Sequence, residues 1–325
     1  MSSAPLVSVL MTAFNRERYI ANAIESVLGQ TFTDFELIVV DDGSEDRTVD
    51  IARKYEADSR VRVVINKRNL GDYPNRNHAA TLARGQFLKY HDSDDMMYPL
   101  CLATMVPPLF AEPLAALALS AGRWWPGGPC PMLLTPRLSY QREFLGSGLF
   151  MCGPGGALFR TEVFRSLGGF PQFGVVSDHV LWLKACARFN VLLLPADLFW
   201  YRVHPGQEKQ SPAAARGYAL IEGEAWRALK APDCPLDGIE LELAKRNLIY
   251  SLFKRVLYDL RAGRWGTAKV RLQHAGLSCS DWLRYLRPPR RDTFAGTPLD
   301  EHGEYVISRW PKSAVSFVSP WDRAT

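Results

Sequence analysis

The segment Tyr90–Asp95, YHDSDD, places three carboxylates within four positions directly after a predicted strand. Such carboxylates repel one another, and their ionised forms are unfavourable unless a cation neutralises them. The Asp-x-Asp spacing puts Asp92 and Asp94 on the same side of an extended chain. Oxygen ligands of this kind suit a hard divalent cation that is shared with substrate phosphates. We therefore predict a Mg²⁺ or Mn²⁺ site here, against the alternative of a solvated acidic turn.

Two further polar turns follow predicted strands. Val39–Thr48, VVDDGSEDRT, brings two adjacent carboxylates to the end of a buried strand, and Asp46 is predicted to cap the next helix. A carboxylate that faces a ligand crevice can accept a hydrogen bond from a base N–H or a ribose hydroxyl. Thr12–Asn15, TAFN, is a turn in which backbone amides can meet a ligand. For both segments the alternative is a plain strand-to-helix turn.

The segment Ser177–Trp182, SDHVLW, predicts the start of a helix. Ser177 is expected to be the N-cap and Asp178 to lie in the first helical turn, where the helix dipole favours the ionised carboxylate. These residues alone leave open whether Asp178 only complements the dipole or takes part in chemistry.

The polar segments belong to an alternation of strand and helix patterns. Short apolar runs predict buried strands at LVSVLMTA from Leu6, FELIVV from Phe35, VRVVI from Val61 and QFLKY from Gln86. Helix patterns lie between them, the third over Asn75–Arg84 with Gly85 as its stop. This order predicts an α/β fold with a mostly parallel sheet, in which ligands bind at the carboxyl ends of the strands.

The later half of the chain is predicted to be less regular and to end in helices. In order, the patterns predict a helix over Pro99–Phe110, a loop over Gly122–Pro136, a glycine turn over Gly153–Gly156, a strand, a helix capped by Thr161 that stops at Gly168, a helix over Ser177–Phe189, a strand over Val191–Leu194, and helices over Ala213–Leu229 and Leu236–Ala262. We therefore expect a nucleotide-binding unit in residues 1–207 and a mainly helical region in residues 208–325.

Composition limits the class of protein. The 325 residues, 47% of them hydrophobic, are typical of a globular protein. The formal net charge of +5 is a mild basic excess, short of that of a dedicated nucleic-acid binder, so we expect no nucleic-acid partner. The sequence shows no signal peptide and no membrane-spanning apolar run, and its six scattered cysteines fit reduced core residues. We therefore expect a cytoplasmic protein.

Together the motifs resemble those of the family 2 glycosyltransferases of the GT-A fold, over roughly residues 5–205. SVLMTAFN resembles the opening strand, with Thr12 in place of proline, and AIESVLGQTFTDFELIVVDDGSEDRT the most recognisable stretch. NLGDYPNRNHAATLARGQFLKYHDSDD resembles the arginine-bearing helix and Asp-x-Asp segment, and YRVH from Tyr201 the closing strand. SDHVLWLKA resembles a later helix, with Ser177 where the family often has Glu. The resemblance implies a GT-A-type, Rossmann-like, mostly parallel sheet flanked by helices and followed by a helical C-terminal region.

The resemblance also implies roles for individual residues. It assigns nucleotide binding to Thr12, Ala13, Phe14, Asn15, Asp42, Arg76 and Asp92. Asp42 is expected at the base edge, Arg76 at the base or diphosphate, and Asp92 at the ribose or the metal. Asp94 and His204 are the implied metal ligands, and Asp178 matches the catalytic base.

An inverting sugar transfer fits these residues. The metal offsets the charge on the leaving diphosphate, and Asp178 takes the proton of the acceptor hydroxyl, whereas a glycosidase needs a second carboxylate. We expect a nucleoside-diphosphate sugar, with UDP as first guess, and a glycan or lipid-linked acceptor in cell-surface polysaccharide or glycolipid synthesis. Two alternatives stay open. One is a nucleotidyltransferase, which the lack of glycine in TAFNRERY disfavours, and the other is a catalytically silent sugar-nucleotide-binding protein, which Ser177 favours.

The C-terminal helices allow two interpretations. Within the stretch Lys245–Arg264, an apolar row lies on one face of the predicted helix, formed by Leu248, Leu252, Val256 and Leu260. Basic residues lie off that face, namely Lys254, Arg255 and Arg261. Either these helices pack on the core with a solvated basic face, or they form a peripheral surface on the inner face of a membrane. Trp124 and Trp125 likewise either stack on an acceptor sugar or pack within a loop.

Overall fold

The computed structural model describes residues 4–120, 130–146, 148–150, 152–205, 207 and 211–286. The strands of these residues are β1 (Val7–Ala13), β2 (Phe35–Asp41), β3 (Val61–Ile65), β4 (Phe87–Asp92), β5 (Met96–Met97), β6 (Ala115–Ser120), β7 (Met132–Leu134), β8 (Ala157–Arg160), β9 (Asn190–Leu194) and β10 (Phe199–Trp200). The helices are α1 (Ile20–Leu28), α2 (Thr48–Arg53), α3 (Asp72–Leu82), α4 (Cys101–Ala111), α5 (Pro136–Phe144), α6 (Thr161–Ser166), α7 (Ser177–Cys186), α8 (Pro212–Tyr218), α9 (Ile221–Lys230), α10 (Gly238–Arg261), α11 (Trp265–Ala275) and α12 (Cys279–Tyr285).

Eight strands form one sheet in the order β3-β2-β1-β4-β8-β6-β9-β7. The pairs β1–β2, β1–β4, β2–β3 and β6–β9 are parallel, while β8 and β7 run antiparallel to their neighbours. The predicted α/β fold with a mostly parallel sheet is confirmed. The register aligns Ala13 with Asp41 and Thr12 with Asp92, so the polar turns after β1, β2 and β4 meet at one edge of the sheet.

Apolar side chains cover both faces of the sheet. On one face, Ile24 and Val27 of α1 are buried against β1 residues such as Met11. On the other face, the ring of Trp182 from α7 stacks on Phe159 of β8 at 5.3 Å between centroids. Because burying one such side chain contributes about 1.5–3 kcal/mol, these two layers fix where α1 and α7 begin relative to the strand ends.

The end of α3 differs from the prediction. The helix ends at Leu82, with Ala83 as its C-cap, so Gly85 is not its stop. A Cβ atom at Gly85 would lie 2.5 Å from the backbone nitrogen of Ser8. Glycine is therefore required here because the chain entering β4 passes directly against β1, and not because a helix ends.

Two of the three predicted helix caps, those at Thr161 and Ser177, are wrong. The N-cap of α6 is Arg160, and the hydroxyl of Thr161 instead donates to the carbonyl of Gly85 at 2.6 Å. The N-cap of α7 is Val176, and Ser177, the first helical residue, donates to the carbonyl of Gly174. Asp46 precedes the N-cap of α2, although its carboxylate still accepts from the amide of Thr48 at 2.9 Å. The hydroxyls of Thr161 and Ser177 thus bond to backbone carbonyls instead of capping a helix, whereas the capping bond of Asp46 is present.

Two strands in the middle of the chain were not predicted as such. Met132–Leu134, within the expected loop Gly122–Pro136, forms β7 and pairs with β9, while residues 121–129, including Trp124 and Trp125, lie outside the described residues. The alanine-rich run Ala115–Ser120 forms the fully buried β6. The expected closing strand from Tyr201 is also wrong, because the strand there is the preceding two-residue β10, which pairs with β5.

The apolar row of α10 is an internal packing surface. Leu252 and Val256 are buried against Ala268 and Ala275 of α11, so this part of the row lies between the two helices. In the part of the chain that the structure describes, no helix is long and apolar enough to cross a membrane. Cys101, Cys152 and Cys186 are buried as expected, whereas Cys130 and Cys279 are exposed and Cys234 is half-buried; all six are free thiols.

Candidate functional site

A cleft of about 610 Å³ opens at the carboxyl ends of β1, β2 and β4. It is lined by nine of the ten predicted site residues, namely Thr12, Ala13, Phe14, Asn15, Asp42, Arg76, Asp92, Asp94 and Asp178. The tenth, His204, lies directly behind Asp94, with its Nε2 atom 2.9 Å from Asp94 Oδ2. The structure thus brings together all the residues that the motifs indicated.

The turn after β1 is tied to the turn after β2. Asn15 has a left-handed backbone (φ 52°), its amide donates to Ser44 Oγ at 2.8 Å, and its Oδ1 accepts from the Glu45 amide at 2.9 Å. Of the two adjacent carboxylates, Asp41 accepts from the amides of Gly43 and Ser44 and so only shapes the turn. These bonds hold the Thr12–Asn15 backbone along the wall of the cleft.

Asp42 is the carboxylate of that pair that lines the cleft. Its Oδ1 accepts from Asn66 Nδ2 at 2.7 Å and from the Leu70 amide at 2.8 Å, and its Oδ2 accepts from the Gly71 amide at 2.9 Å. Asp42 therefore holds the loop before α3 in place. A carboxylate oxygen with one donor can accept a second, so Oδ2 keeps capacity for a base N–H.

Arg76 is the buried cation of the cleft. Its Nε donates to Asp72 Oδ1 at 2.8 Å and its Nη2 donates to Asp92 Oδ1 at 2.7 Å. Burial alone would raise the pKa of Asp92, but the Arg76 guanidinium holds that pKa below its usual value. The Nη1 atom of Arg76 is buried and has no hydrogen-bond partner in the part of the chain that the structure describes. An orphaned donor of a buried cation is unfavourable, so this atom calls for an anionic oxygen.

Asp94 and His204 form a two-residue donor set. His204 Nδ1 lies 2.8 Å from the carbonyl oxygen of Pro205, so this nitrogen carries a hydrogen, and Nε2 is left to face Asp94 Oδ2. A backbone carbonyl that orients a histidine in this way is the usual second partner of a metal-binding imidazole. Asp95 does not join them; it accepts from the Arg202 amide, and burial together with Asp92 and Asp94 raises its pKa to about 8.

Within the described ranges no group of three or more His, Cys, Asp or Glu residues is arranged to hold a metal ion. One carboxylate and one imidazole nevertheless fit Mg²⁺ or Mn²⁺, because such ions take their remaining ligands from substrate phosphates and water. The donor set of Asp94 and His204 is therefore chemically suited to an ion that is shared with a diphosphate.

Asp178 lies in the first turn of α7, and its Oδ1 accepts from the amide of His179 at 2.7 Å. Burial raises the pKa of Asp178 to about 6, although the His179 amide, Arg76 and the Tyr73 hydroxyl each act to lower it. A carboxyl group with this pKa is ionised near neutral pH and is a stronger base than an exposed aspartate.

Sequence reasoning missed several cleft residues. Asp72 stands four residues before Arg76 on α3, a spacing that predicts an ion pair and was available in the sequence. Arg16, Val175 and Tyr218 also line the cleft. They come from a turn, a short helical turn and the C-terminal helix α8. No local sequence pattern predicts that these three residues lie close together.

Residues 8–168 match the family described as Glycosyl transferase family 2. These residues belong to that family. The family 2 segment contains the β1 turn, Asp42, Arg76 and the Asp-x-Asp residues, whereas Asp178 and His204 lie beyond it.

Named relatives match about a third of this chain. The putative glycosyltransferase EpsE of Bacillus subtilis (strain 168) is 39% identical over 108 residues, which are 33% of this chain and 39% of that protein. The putative teichuronic acid biosynthesis glycosyltransferase TuaG of the same organism is 42% identical over 92 residues, or 28% of this chain and 36% of that protein. The chain thus spans less than half the length of these family 2 relatives.

Solved structures share the GT-A fold. S. aureus TarS 1-349 in complex with UDP-GlcNAc superposes with a TM-score of 0.57 at 18% identity, over 83% of this chain and 91% of that chain. The mannosyltransferase PcManGT from Pyrobaculum calidifontis, in complex with GDP-Man and Mn²⁺, gives 0.53 at 19% identity, over 87% and 83%. At these identities the likeness shows the fold, and it confirms the architecture predicted for the family 2 region.

Proposed function

We propose that this chain is an inverting glycosyltransferase that moves a sugar from a nucleoside-diphosphate sugar to an acceptor hydroxyl. One observation carries the proposal: a single cleft joins an orphaned arginine donor (Arg76), a metal-type donor set at Asp94 and a carboxyl base with a raised pKa, Asp178. The proposal is supported by the match of residues 8–168 to Glycosyl transferase family 2 and by the similarity to glycosyltransferase relatives.

The donor nucleotide is proposed to bind along the carboxyl ends of β1, β2 and β4. The Thr12–Asn15 backbone and Asp42 hold the nucleoside, with Asp42 on the base edge, and Asp92 contacts the ribose or the metal. Arg76 Nη1 then finds its acceptor on the diphosphate, which removes the cost of the unpaired buried donor. UDP is the first nucleotide to test, a choice that the UDP-GlcNAc complex of TarS supports.

Asp94 and His204 are proposed to hold Mn²⁺ or Mg²⁺, and the Mn²⁺ complex of PcManGT supports this cofactor. When bound, the ion acts as a Lewis acid that offsets the charge developing on the leaving diphosphate. His204 is kept in the required orientation by its Nδ1 bond to Pro205, and its ring also lies against Tyr19 at 4.4 Å between centroids.

Asp178 is proposed to accept the proton of the acceptor hydroxyl. As the O–H bond breaks, the acceptor oxygen attacks the anomeric carbon, and the bond from that carbon to the diphosphate oxygen breaks on the opposite side. One base on the acceptor face gives a single displacement with inversion. Tyr73 beside the carboxylate and the His179 amide keep Asp178 oriented towards the cleft.

The acceptor is proposed to be a glycan or lipid-linked glycan of a cell-surface polysaccharide or glycolipid. We assign catalysis to residues 1–207 and the support of the acceptor side to residues 208–325, because α8 contributes Tyr218 to the cleft. We also propose peripheral contact with an anionic membrane surface through exposed aromatic and basic residues of α10 and α11. These are Tyr258, Arg261, Trp265 and Lys269, with Arg264 between them.

Calorimetry with UDP, GDP and dTDP, each with Mn²⁺, tests the donor site. We expect one of them to bind, and Asp94→Ala to weaken that binding by about tenfold or more while sparing the nucleoside alone. Asp50→Ala, an exposed carboxylate of α2, is the matched control and should change nothing. No binding of any of the three diphosphates, or full sugar transfer in excess EDTA, would contradict the proposal.

A further inference from the structure

Arg16 joins the turn after β1 to the Asp-x-Asp segment. Its Nη1 donates to the carbonyl oxygens of Phe14 at 3.0 Å and Asn15 at 3.1 Å, and its Nε donates to Asp94 Oδ2 at 3.0 Å. The side chains of Arg16 and Asp94 are 25% and 13% exposed, so solvent screens this ion pair only partly. The guanidinium is thus anchored at two carbonyls and reaches the proposed metal ligand.

The oxygen that Arg16 contacts is also the one that faces His204. Asp94 Oδ2 lies 3.0 Å from Arg16 Nε and 2.9 Å from His204 Nε2, so the guanidinium contacts the same oxygen that faces the imidazole. A guanidinium cannot lose its charge in a protein. A divalent cation that binds Asp94 therefore meets a fixed positive charge on the same oxygen, and like charges at this distance disfavour each other.

A diphosphate changes this balance because it offers Arg16 another partner. Guanidinium groups pair with phosphate oxygens through two parallel hydrogen bonds, which is stronger and more directional than a single bond to one carboxylate oxygen. Arg16 lines the same cleft as Arg76, whose unpartnered Nη1 marks the proposed diphosphate position. Moving Arg16 to the diphosphate leaves Asp94 and His204 to the cation.

We propose that Arg16 makes cation binding at Asp94 conditional on the diphosphate: it competes with the metal ion for Asp94 and pairs with the diphosphate once that group is bound. This inference rests on the proposed function. The coupling is reciprocal, so the ion and the diphosphate each raise the affinity for the other. Arg16 is then a positioning residue that keeps the site from binding free metal ions in the absence of a nucleotide.

Arg16→Gln tests this in the full chain with two probes that are kept apart, so that the metal and the diphosphate do not chelate each other in solution. Mn²⁺ alone, followed by its paramagnetic resonance signal, should bind the variant about tenfold or more tightly than the wild type. Inorganic pyrophosphate alone, followed by calorimetry without metal, should bind it about tenfold or more weakly. Opposite shifts from one substitution are the signature of the proposed role.

Arg18→Gln is the matched control, because Arg18 is exposed and its loss changes the net charge equally. It should alter both affinities by less than about threefold, since solvent screens an exposed charge. Arg16→Lys keeps the charge without the planar fork, so its Mn²⁺ affinity should stay near that of the wild type. The Arg16 amide bond to Thr48 Oγ1, at 2.7 Å, does not depend on the side chain, and melting temperatures check that each variant folds.

Two outcomes overturn the inference. In the first, Arg16→Gln binds Mn²⁺ no more tightly than the wild type or Arg18→Gln does. In the second, Arg16→Gln binds pyrophosphate as tightly as the wild type does. If the wild type binds a nucleoside diphosphate with Mn²⁺ in either of these cases, the proposed function stands and only the role of Arg16 fails. If no variant binds Mn²⁺ or a diphosphate under any condition, the proposed function fails as well.

Discussion

The chemistry of the cleft depends on which cationic partner, if any, neutralises each of its carboxylates. Asp72 and Asp92 share the buried Arg76, Asp94 is paired with Arg16 and His204, and Asp95 is buried with a raised pKa. Among the residues that the structure describes, Asp178 has no such ion-pair partner of its own, and burial raises its pKa to about 6. The same site therefore holds Asp92, whose pKa Arg76 lowers, and Asp178, whose raised pKa lets it take up a proton near neutral pH.

Asp178→Asn tests whether this residue is the base. Asparagine keeps the size of the side chain but cannot accept the proton, so kcat should fall by about 10²–10⁴ while UDP affinity stays within about threefold. The matched control is Glu162→Gln, which removes an exposed carboxylate from the first turn of α6 and should leave kcat unchanged. A folded Asp178→Asn protein with nearly wild-type kcat would remove Asp178 from the mechanism.

The raised pKa of Asp178 also predicts that its ionised carboxylate lowers the stability of the fold. Its pKa is about 6 in the folded chain and near the ordinary 3.8 in the unfolded chain, so the folded state binds the proton more tightly. The stability contributed by the protonated carboxyl is present below about pH 4 and is lost as the pH rises through about 6. At pH 7, Asp178→Asn should therefore be more stable than the wild type by about 3 kcal/mol.

Urea unfolding of both proteins at several pH values measures this difference. The gap between their free energies of unfolding should shrink steadily as the pH is lowered from 7 towards 4. Glu162→Gln again serves as the control and should show no such gap. A variant that is less stable than the wild type at pH 7 would indicate that the carboxylate mainly supports the start of α7.

At the scale of elements, the sequence predicted those strands and helices that a local residue pattern encodes. The first four strands are short and rich in apolar and β-branched residues, and all four were located correctly. β6 was missed because its run, AALALS, is rich in alanine and lacks β-branched residues. The cap at Thr161 was misplaced because its hydroxyl bonds to the distant Gly85 carbonyl, and the cap at Ser177 because its hydroxyl bonds to the Gly174 carbonyl of the preceding turn.

The residues of the candidate site were likewise predictable only where local motifs encode them. Asp42, Arg76, Asp92 and Asp94 sit in motifs at strand ends or on the adjoining helix, so the topology alone brings them together. The pairing of Arg16 with Asp94 spans 78 positions and depends on side-chain geometry that no spacing reveals. Local motifs therefore identify the ligands of the cleft but not the charges that compete for them.

The packing of α8 provides a prediction at this scale. A Cβ atom at Gly217 would lie 2.5 Å from Cγ2 of Val175, in the short turn just before α7 and Asp178. Because valine is stiff at χ1, Gly217→Ala should lower the free energy of unfolding by about 1–3 kcal/mol. UDP affinity should not change, because the donor side of the cleft is not displaced.

Gly266→Ala is the matched control for that substitution. Its added Cβ would meet nothing within 4 Å in α11, so alanine should stabilise the protein by up to about 1 kcal/mol. Urea denaturation of both variants gives the comparison. If Gly217→Ala is as stable as Gly266→Ala, α8 does not press against the turn that precedes Asp178.

At the scale of the whole molecule, the C-terminal helices are held together from within. Arg271 of α11 lies between Asp259 of α10, at 3.2 Å, and Glu222 of α9, and all three are buried. With the apolar row of α10 also packed inside, the opposite surface is left to face outwards. There Tyr258 is 64% exposed and Trp265 is 68% exposed, among exposed Arg261, Arg264 and Lys269. Arg264 pairs with Asp259, so Arg261 and Lys269 are the bases of this surface without a described ion pair.

Exposed aromatic rings among bases are suited to the interface of an anionic bilayer, because the rings bury apolar area and each base near the surface contributes about 1 kcal/mol. The full chain should sediment with phosphatidylserine-containing vesicles at low salt and be released at high salt, where the Debye length falls to about 3 Å at 1 M.

Trp265→Ser and the double variant Arg261→Gln, Lys269→Gln should each weaken binding about fivefold or more. Phe110→Ser, which removes an exposed aromatic ring from α4, should bind as the wild type does. Binding that persists in all of these variants would place the contact elsewhere on the molecule. If the wild type does not sediment at low ionic strength, these helices serve only to pack against the catalytic unit and to complete its cleft.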